Sequence, residues 1–316
     1  MRSSISSNII KYGTIIALFL IFLTFSIIIP GFANKTNLLN ILKQIALLTI
    51  ISEGFTMCLI VGELDLSFAN VASLSSVVVA GLILKGVNPA FSILLALCVG
   101  AIFGIVNGLL ITKVGILSLI TTLATGIIAG GMVYFYTKGV SFYGEMPQSF
   151  LNLARGSFLG IPSLVIFMFI IVIFAHIFIN RTVPGRHMEA TGGNRLAARL
   201  SGINTDLYKI LGMTFSSLGA ALTGILLTAR LGSANPEGAS GFLMDGFATA
   251  LLGMTVLTVG KPSPIGTFVG ALLIGILNNG MTLLGSPYYV QDITKGVIII
   301  LAVTITSFQA KRLEGG

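Results

Sequence analysis

Residues 91–112, FSILLALCVGAIFGIVNGLLIT, run for 22 positions without a charged side chain. An α-helix needs about 20 predominantly apolar residues to cross the hydrocarbon core of a bilayer. The whole 316-residue chain has the same character, because 55% of its residues are hydrophobic, 9% are charged and the mean hydropathy is +1.01. A soluble globular domain carries about 25% charged residues. The sequence therefore predicts an all-α, polytopic integral membrane protein.

Apolar runs of membrane-spanning length recur along the chain in ten places. They lie at about 12–30, 41–61, 66–84, 91–112, 116–136, 161–180, 207–229, 241–259, 264–284 and 290–308. Only the tetrapeptide GELD separates the second run from the third. We expect about ten transmembrane helices in a single transmembrane domain that covers residues 1–316.

The orientation follows from the basic residues, because cytoplasmic loops are enriched in Lys and Arg. An even number of spans places both termini on one side of the membrane. If that side is the cytoplasm, eleven of the 18 Lys and Arg residues are cytoplasmic: Arg2, Lys11, Lys113, Arg181, Arg186, Arg195, Arg199, Lys209, Lys261, Lys311 and Arg312. We therefore expect cytoplasmic termini, a long cytoplasmic loop at 181–206, and an extracytoplasmic loop at 138–160 with MPQSFLNLARG as a short surface helix.

Two glycine-rich segments resemble each other. GAIFGIVNG at 100–108 is similar to GALLIGILNNG at 270–280, and the predicted topology runs the two in opposite directions. Oppositely oriented similar segments are typical of the inverted repeats of transporters. The alternative is that small residues recur wherever helices pack closely.

The segment VGELDLSFAN at 61–70 places polar side chains between two spans with almost no loop. One interpretation is a broken helix that lines a cavity, since irregular backbone is tolerated only away from lipid. The other is a tight cytoplasmic turn with solvated carboxylates. The turn is the favoured interpretation for Glu63, and both interpretations stay open for Asp65.

Further polar side chains lie inside the apolar runs. Glu53 lies in the middle of a span, with Thr49 and Thr56 on neighbouring helical positions. We favour a structural carboxyl group bonded within the bundle over a ligand contact. Asn107, Asn278 and Asn279 are expected mainly to bond between helices. The residues that could line a substrate pathway are Glu53, Asp65, Ser67, Asn70, Asn107, Asp245, Asn278 and Asn279.

Enzyme motifs are missing from the sequence. TVGKPS at 258–263 lacks the first glycine of a phosphate-binding loop, and there is no H-E-x-x-H, C-x-x-C or G-x-S-x-G pattern. The net charge of +8 is spread singly at the ends of apolar runs, which does not favour nucleic acid. These absences exclude an ATPase subunit and leave little support for a membrane enzyme, so we expect no catalytic residues, no metal site and no cofactor.

The one long polar insert is GRHMEATGGNRLAARLSGIN, residues 185–204. Asn194 is a good N-cap and Gly202 is suited to end a helix. Between them Leu196 and Leu200, followed by Ile203, form one apolar stripe. This short amphipathic helix either lies in the lipid headgroups or docks into a cytoplasmic partner.

Four segments together resemble the ribose-type sugar permeases, the inner-membrane components of binding-protein-dependent ATP-binding-cassette (ABC) importers. They are GELDLS at 62–67, the insert from Gly185 onward, the stretch ARLGSANPEGASGFLMDGFATALLGMTVLTVGK at 229–261, and IGTFVGALLIGILNNGM at 265–281. The resemblance covers about residues 12–308. It implies a multi-pass permease of the cell (inner) membrane that imports a monosaccharide or a related small polar molecule.

The resemblance also implies partners: a second permease copy, a cytoplasmic ATPase that hydrolyses the ATP, and an extracytoplasmic sugar-binding protein. It implies that the cytoplasmic loop contacts the ATPase through a coupling helix, carried by Gly185, Arg186, Gly192, Gly193, Asn194, Ala197, Ala198, Arg199 and Gly202. The alternatives are an ion-coupled secondary transporter that uses Glu53 or Asp65, and a membrane-bound receptor or scaffold.

Overall fold

The protein is almost entirely helical in a computed structural model that describes residues 2–256, 260–298, 300 and 304. The helices are α1 (Arg2–Ile28), α2 (Lys35–Ile60), α3 (Phe68–Leu84), α4 (Pro89–Leu109), α5 (Ser118–Thr137), α6 (Gln148–Arg155), α7 (Ser163–Arg181), α8 (Val183–Gly193), α9 (Arg195–Leu200), α10 (Thr205–Leu231), α11 (Phe242–Gly253) and α12 (Pro264–Leu283). A π-helical turn, Leu110–Val114, extends α4, and residues 288–298 form a further helical segment.

Four two-residue strands form two small antiparallel pairs. They are β1 (Phe142–Tyr143), β2 (Ser157–Phe158), β3 (Ile161–Pro162) and β4 (Ser233–Ala234). β1 pairs with β4, and β2 pairs with β3. The β1–β4 pair ties the loop after α5 to the end of α10, so it fixes two distant parts of the chain at one end of the bundle.

Within the described residues, six helices are long and apolar enough to cross a membrane: α2, α4 with its π-helical extension, α5, α7, α10 and α12. Three shorter apolar helices accompany them, namely residues 13–28 of α1, α3 and α11. Helix length and composition thus support a multi-pass, all-α membrane protein with at least six spans. The ten spans that the sequence predicts are not all confirmed. The end of the predicted run 241–259 and much of the run 290–308 lie outside the described residues.

Helices α2 and α10 form the centre of the bundle, and their backbones touch. Every residue of α2 from Ile45 to Cys58 is buried. A Cβ atom on Gly54 would lie 3.0 Å from the Ser216 carbonyl oxygen and 3.1 Å from the Gly219 Cα atom. Glycine on both helices removes the side chains that would otherwise hold the helices apart, which is how small residues bring membrane helices together.

The other helices are arranged around this central pair. α10 packs along α4 and α3, while α2 packs along α12, α7 and α11. α5 covers α3 from outside, and α1 packs on α12. The outer faces of α4 and α5 carry exposed apolar side chains such as Phe91, Ile127 and Phe135, as expected of a surface that contacts lipid.

The ends of α10 mark the two ends of the molecule. At its beginning lie α8, α9 and the extended segment 61–67 that follows α2. At its end lie β4 and α6, where the Arg155 side chain donates from Nε to the Arg230 carbonyl oxygen at 2.9 Å. We call the first of these the coupling end, after the coupling loop that the sequence predicts there, and the second the opposite end.

Candidate functional site

Helix α8 is held tightly under the end of α2. Thr182 caps it by accepting a hydrogen bond from the Gly185 amide at 3.2 Å. Met188 is fully buried in a small apolar cluster with Met57 and Ile60. A Cβ atom on Gly192 would overlap the Ile60 carbonyl oxygen, so only glycine permits this close approach of α8 to α2.

Helix α9 projects from the coupling end as a capped single turn and a half. The Asn194 side chain accepts a hydrogen bond from the Ala197 amide at 3.0 Å, as the N-cap prediction requires. The helix ends before Gly202, whose φ of +82° is unfavourable for other residues. Leu196 is 69% exposed and Leu200 is 81% exposed. The predicted stripe is therefore a protruding apolar surface at these two positions, while Ile203 is half-buried.

One carboxylate, Asp206 in the first turn of α10, fastens α9 to the bundle. Its Oδ1 atom accepts hydrogen bonds from Arg199 at 2.6 Å and from Arg195 at 3.3 Å, and its Oδ2 atom accepts one from Lys113 at 3.3 Å. Arg199 also donates from Nε to the Thr205 hydroxyl at 2.9 Å. A carboxylate near a helix N-terminus stabilises the helix through its dipole. Asp206 therefore stabilises the start of α10 and also pairs with three cationic side chains.

Glu63 differs from its predicted state. The favoured sequence interpretation was a solvated turn, but Glu63 is buried, with 7% of the residue exposed, and its carboxylate forms an ion pair with the Lys209 ammonium group. Lys209 was counted among the cytoplasmic basic residues, yet it too is buried, at 9% exposed. The prediction of a solvated Glu63 is wrong because α10 passes directly beside the end of α2 and brings a matching charge with it.

The segment after Glu63 forms an internal polar cluster of Asp65, Ser67 and Asn107. Asp65 Oδ1 accepts hydrogen bonds from the Ser67 amide at 2.8 Å and the Ser67 hydroxyl at 2.5 Å. Asn107 on α4 donates to the Ser67 hydroxyl oxygen at 3.1 Å. All three residues have an exposed fraction of 0%. The Ser67 amide is therefore bonded inside the bundle, where lipid would not tolerate an unpaired backbone group.

Glu53 lies apart from that cluster. It is 1% exposed, and within the described part of the chain neither of its carboxyl oxygens has a hydrogen-bond partner. It borders a cavity of about 280 Å³ between α2, α4, α7 and α10 whose other walls are apolar, including Leu97 and Phe174. The predicted hydrogen bonding of Glu53 within the bundle is not seen, and the neighbouring Thr56 hydroxyl bonds to Ser52 and Thr267.

The remaining predicted pathway residues are distributed over other parts of the bundle. Asp245 pairs with Lys295 at 3.0 Å, and Asn279 accepts a hydrogen bond from Asn37 at 3.0 Å. Asn70 is half-buried beside Gly126 of α5, and Asn278 is half-buried on α12. The structure therefore joins Asp65, Ser67 and Asn107 by hydrogen bonds. It places Asn70 beside them, because a Cβ atom on Gly126 would lie 3.3 Å from both the Asn70 Nδ2 atom and the Ser67 Cα atom. The other four residues have no hydrogen bond to this cluster among the described residues.

The predicted coupling residues share one surface or support it. Gly185 is buried in the first turn of α8 and Arg186 is exposed beside it, while Ala197 is exposed and Ala198 is buried on α9.

Sequence reasoning missed Asp206 and the Glu63–Lys209 pair. An isolated acidic residue that follows a basic loop was a usable signal for Asp206, whereas the partner of Glu63 is 146 positions away and carried no local signal.

The chain is similar in sequence to several known proteins. The family described as "Branched-chain amino acid transport system / permease component" matches residues 37–303. A ribose import permease of Bacillus subtilis is 38% identical over 296 residues, which cover 93% of this chain and 92% of that protein. A ribose import permease of Escherichia coli K12 is 35% identical over 94% of each chain, and a D-allose transport system permease of the same organism is 33% identical over 95% of this chain and 93% of its own. No solved structure matches the chain.

Proposed function

The chain belongs to the permease-component family of branched-chain amino acid transport systems and resembles sugar import permeases over nearly its whole length, and we propose that it is the membrane-spanning subunit of an ATP-driven importer for a monosaccharide. The relatives named for ribose and D-allose support a sugar of that size over an amino acid. A transport subunit of this kind leaves ATP hydrolysis to a separate ATPase.

The observation that carries the proposal is α9. Two exposed leucines on a capped helix, held from behind by Asp206, form a rigid apolar projection at one end of the bundle. Exposed apolar patches rimmed by charge are typical of protein interaction sites. We infer that residues 185–204 dock into a cytoplasmic ATPase and that the loop 181–206 is the coupling loop.

The topology proposed for the chain has both termini in the cytoplasm and about ten spans. It is supported by the clustering of Lys113, Arg195, Arg199 and Lys209, all assigned to the cytoplasmic side by sequence, at the coupling end. Residues 138–160, including α6, then belong to the opposite, extracytoplasmic end, where a sugar-binding protein would deliver its cargo.

An inverted repeat is supported by the packing around the centre. α4 packs along α10 as α12 packs along α2, and α3 contacts α4 as α11 contacts α12. α4 and α12 each begin with a proline, Pro89 and Pro264, after a side-chain cap. We propose that the unit α2–α5 and the unit beginning at α10 are related in this way, as in many transporters.

Two copies of the chain are proposed to form the transport pathway between them. The cluster of Asp65, Ser67 and Asn107 is sealed inside one bundle in the described residues, so a hydrated sugar would need a boundary between copies. We keep Glu53, Asp65, Ser67, Asn70, Asn107, Asp245, Asn278 and Asn279 as the residues to test along that pathway. The second copy is either identical or a related permease.

Reconstitution tests this function directly. The permease is purified from its native membrane with its co-purifying subunits, placed in proteoliposomes that contain ATP, and supplied with sugar-loaded binding protein. We expect uptake of labelled ribose or a related monosaccharide that stops when a non-hydrolysable ATP analogue replaces ATP. Uptake that needs a proton gradient but no ATPase would refute the proposal and favour the ion-coupled alternative.

A further inference from the structure

The ion pair between Glu63 and Lys209 is buried at the coupling end. The two side chains are only 9% and 11% exposed. Removing two charges from water is expensive, and a buried pair often adds little stability compared with apolar residues of the same size. The best-attested use of such a pair is to fix the register of the elements that carry it.

Lys209 shares the first turns of α10 with Asp206, three residues earlier in the helix. Residues three apart lie on neighbouring positions of one helix surface. Asp206 holds Arg199 of α9 at 2.6 Å, and Lys209 holds Glu63 at the end of α2. The beginning of α10 is therefore connected by charge to the projecting helix on one side and to the segment 61–67 on the other.

The segment 61–67 is connected in turn to helices deeper in the bundle. The Leu66 amide donates to the Thr122 hydroxyl of α5 at 3.0 Å, and the Leu64 amide donates to the Ser118 hydroxyl at 3.3 Å. Asp65 and Ser67 then bond to Asn107 of α4 through the serine hydroxyl. A displacement of this segment would strain or break these hydrogen bonds, because they join its backbone and side chains directly to α4 and α5.

We propose that Glu63 and Lys209 are positioning residues that transmit movement of α9, through the first turns of α10, to the segment 61–67 and the polar cluster behind it. The proposal rests on the proposed function, in which α9 contacts an ATPase. A measurement of energetic coupling through the pair tests this assignment.

The experiment measures sugar molecules imported per ATP hydrolysed, in proteoliposomes with the ATPase and the loaded binding protein. The variants are Glu63→Gln, Lys209→Met, the double variant Glu63→Gln/Lys209→Met, and the exchange Glu63→Lys/Lys209→Glu. Lys43→Gln, which removes a charge from the other end of α2, is the control. We expect the single and double variants to assemble with the ATPase and to lower the ratio by about tenfold, and the exchange to restore part of it.

A single variant leaves one buried charge without its partner and can fail to fold for that reason alone. The double variant leaves no such charge and should fold, so its coupling ratio tests the transmission role directly. If the assembled double variant imports as many sugar molecules per ATP as the unmodified protein, the pair has no transmission role and the proposal is wrong. If the unmodified complex itself shows no ATP-driven import, the proposed function fails instead, so the two failures are distinguishable.

Discussion

Single residues at the coupling end are constrained by distances to backbone atoms. Gly192 and Gly193 are neighbours in sequence but meet different surroundings. A Cβ atom on Gly192 would overlap the Ile60 carbonyl oxygen and lie 3.0 Å from the Gly62 amide nitrogen, whereas one on Gly193 would meet no described atom within 4 Å. The pair therefore provides a variant and its matched control in adjacent positions.

We expect Gly192→Ala to lower the stability of the purified permease by about 1–3 kcal/mol, because the backbone of α8 or α2 must shift. Gly193→Ala should leave stability unchanged or raise it slightly, since alanine favours a helix. Thermal unfolding in detergent measures both variants. Equal behaviour of the two would contradict the close approach of α8 to α2.

The need for a titrating carboxyl group at Glu53 distinguishes an ATP-driven permease from an ion-coupled transporter. An ATP-driven permease does not require this carboxyl group to exchange a proton, and a glutamine retains the shape and much of the hydrogen-bonding capacity of a neutral carboxyl. We expect Glu53→Gln to keep most ATP-driven uptake, and uptake to persist when an uncoupler removes the proton gradient while ATP is maintained. Loss of uptake on both treatments would favour the ion-coupled alternative.

At the scale of elements, α9 offers an apolar surface and α10 offers the support for it. The leucines of α9 point away from the bundle while Arg199 points back to Asp206. The two functions of the helix, contact and anchoring, are thus carried by different side chains. A substitution can therefore remove the apolar contact surface without removing the anchoring ion pair, or the reverse.

We expect Leu200→Glu to abolish co-purification of the ATPase while the permease remains folded, because Leu200 is 81% exposed and its substitution removes apolar contact without opening a cavity. Leu159→Glu is the control, since Leu159 is 86% exposed at the opposite end. Should the ATPase co-purify equally with both variants, α9 would instead be a helix that lies in the lipid headgroups.

At the scale of the whole molecule, the proposed topology assigns the two ends of α10 to opposite sides of the membrane. Asn194 lies at the coupling end and Gln148 at the opposite end, and both are exposed. Cysteines placed at these positions, in a background without the exposed Cys98, should react with an impermeant thiol reagent from opposite sides. Labelling of both from one side would overturn the span order.

Apolar periodicity and length predicted the helices well because lipid imposes one requirement, that every backbone polar group be bonded within a helix. The cap at Asn194, the helix end at Gly202 and the helix within MPQSFLNLARG follow from local residue preferences and appear in the structure. The solvated state predicted for Glu63 was wrong, since its partner Lys209 is brought near only by packing of distant helices. The sequence alone could not distinguish a charged turn from a buried ion pair.

The central pair of helices has a consequence for how the chain is made. α2 belongs to the first half of the sequence but obtains much of its packing from α10, α11 and α12 of the second half. Glu63 is synthesised 146 residues before Lys209, so its ion-pair partner does not yet exist when α2 emerges from the ribosome. The packing of α2 and the pairing of Glu63 can therefore be completed only after α10 has been made.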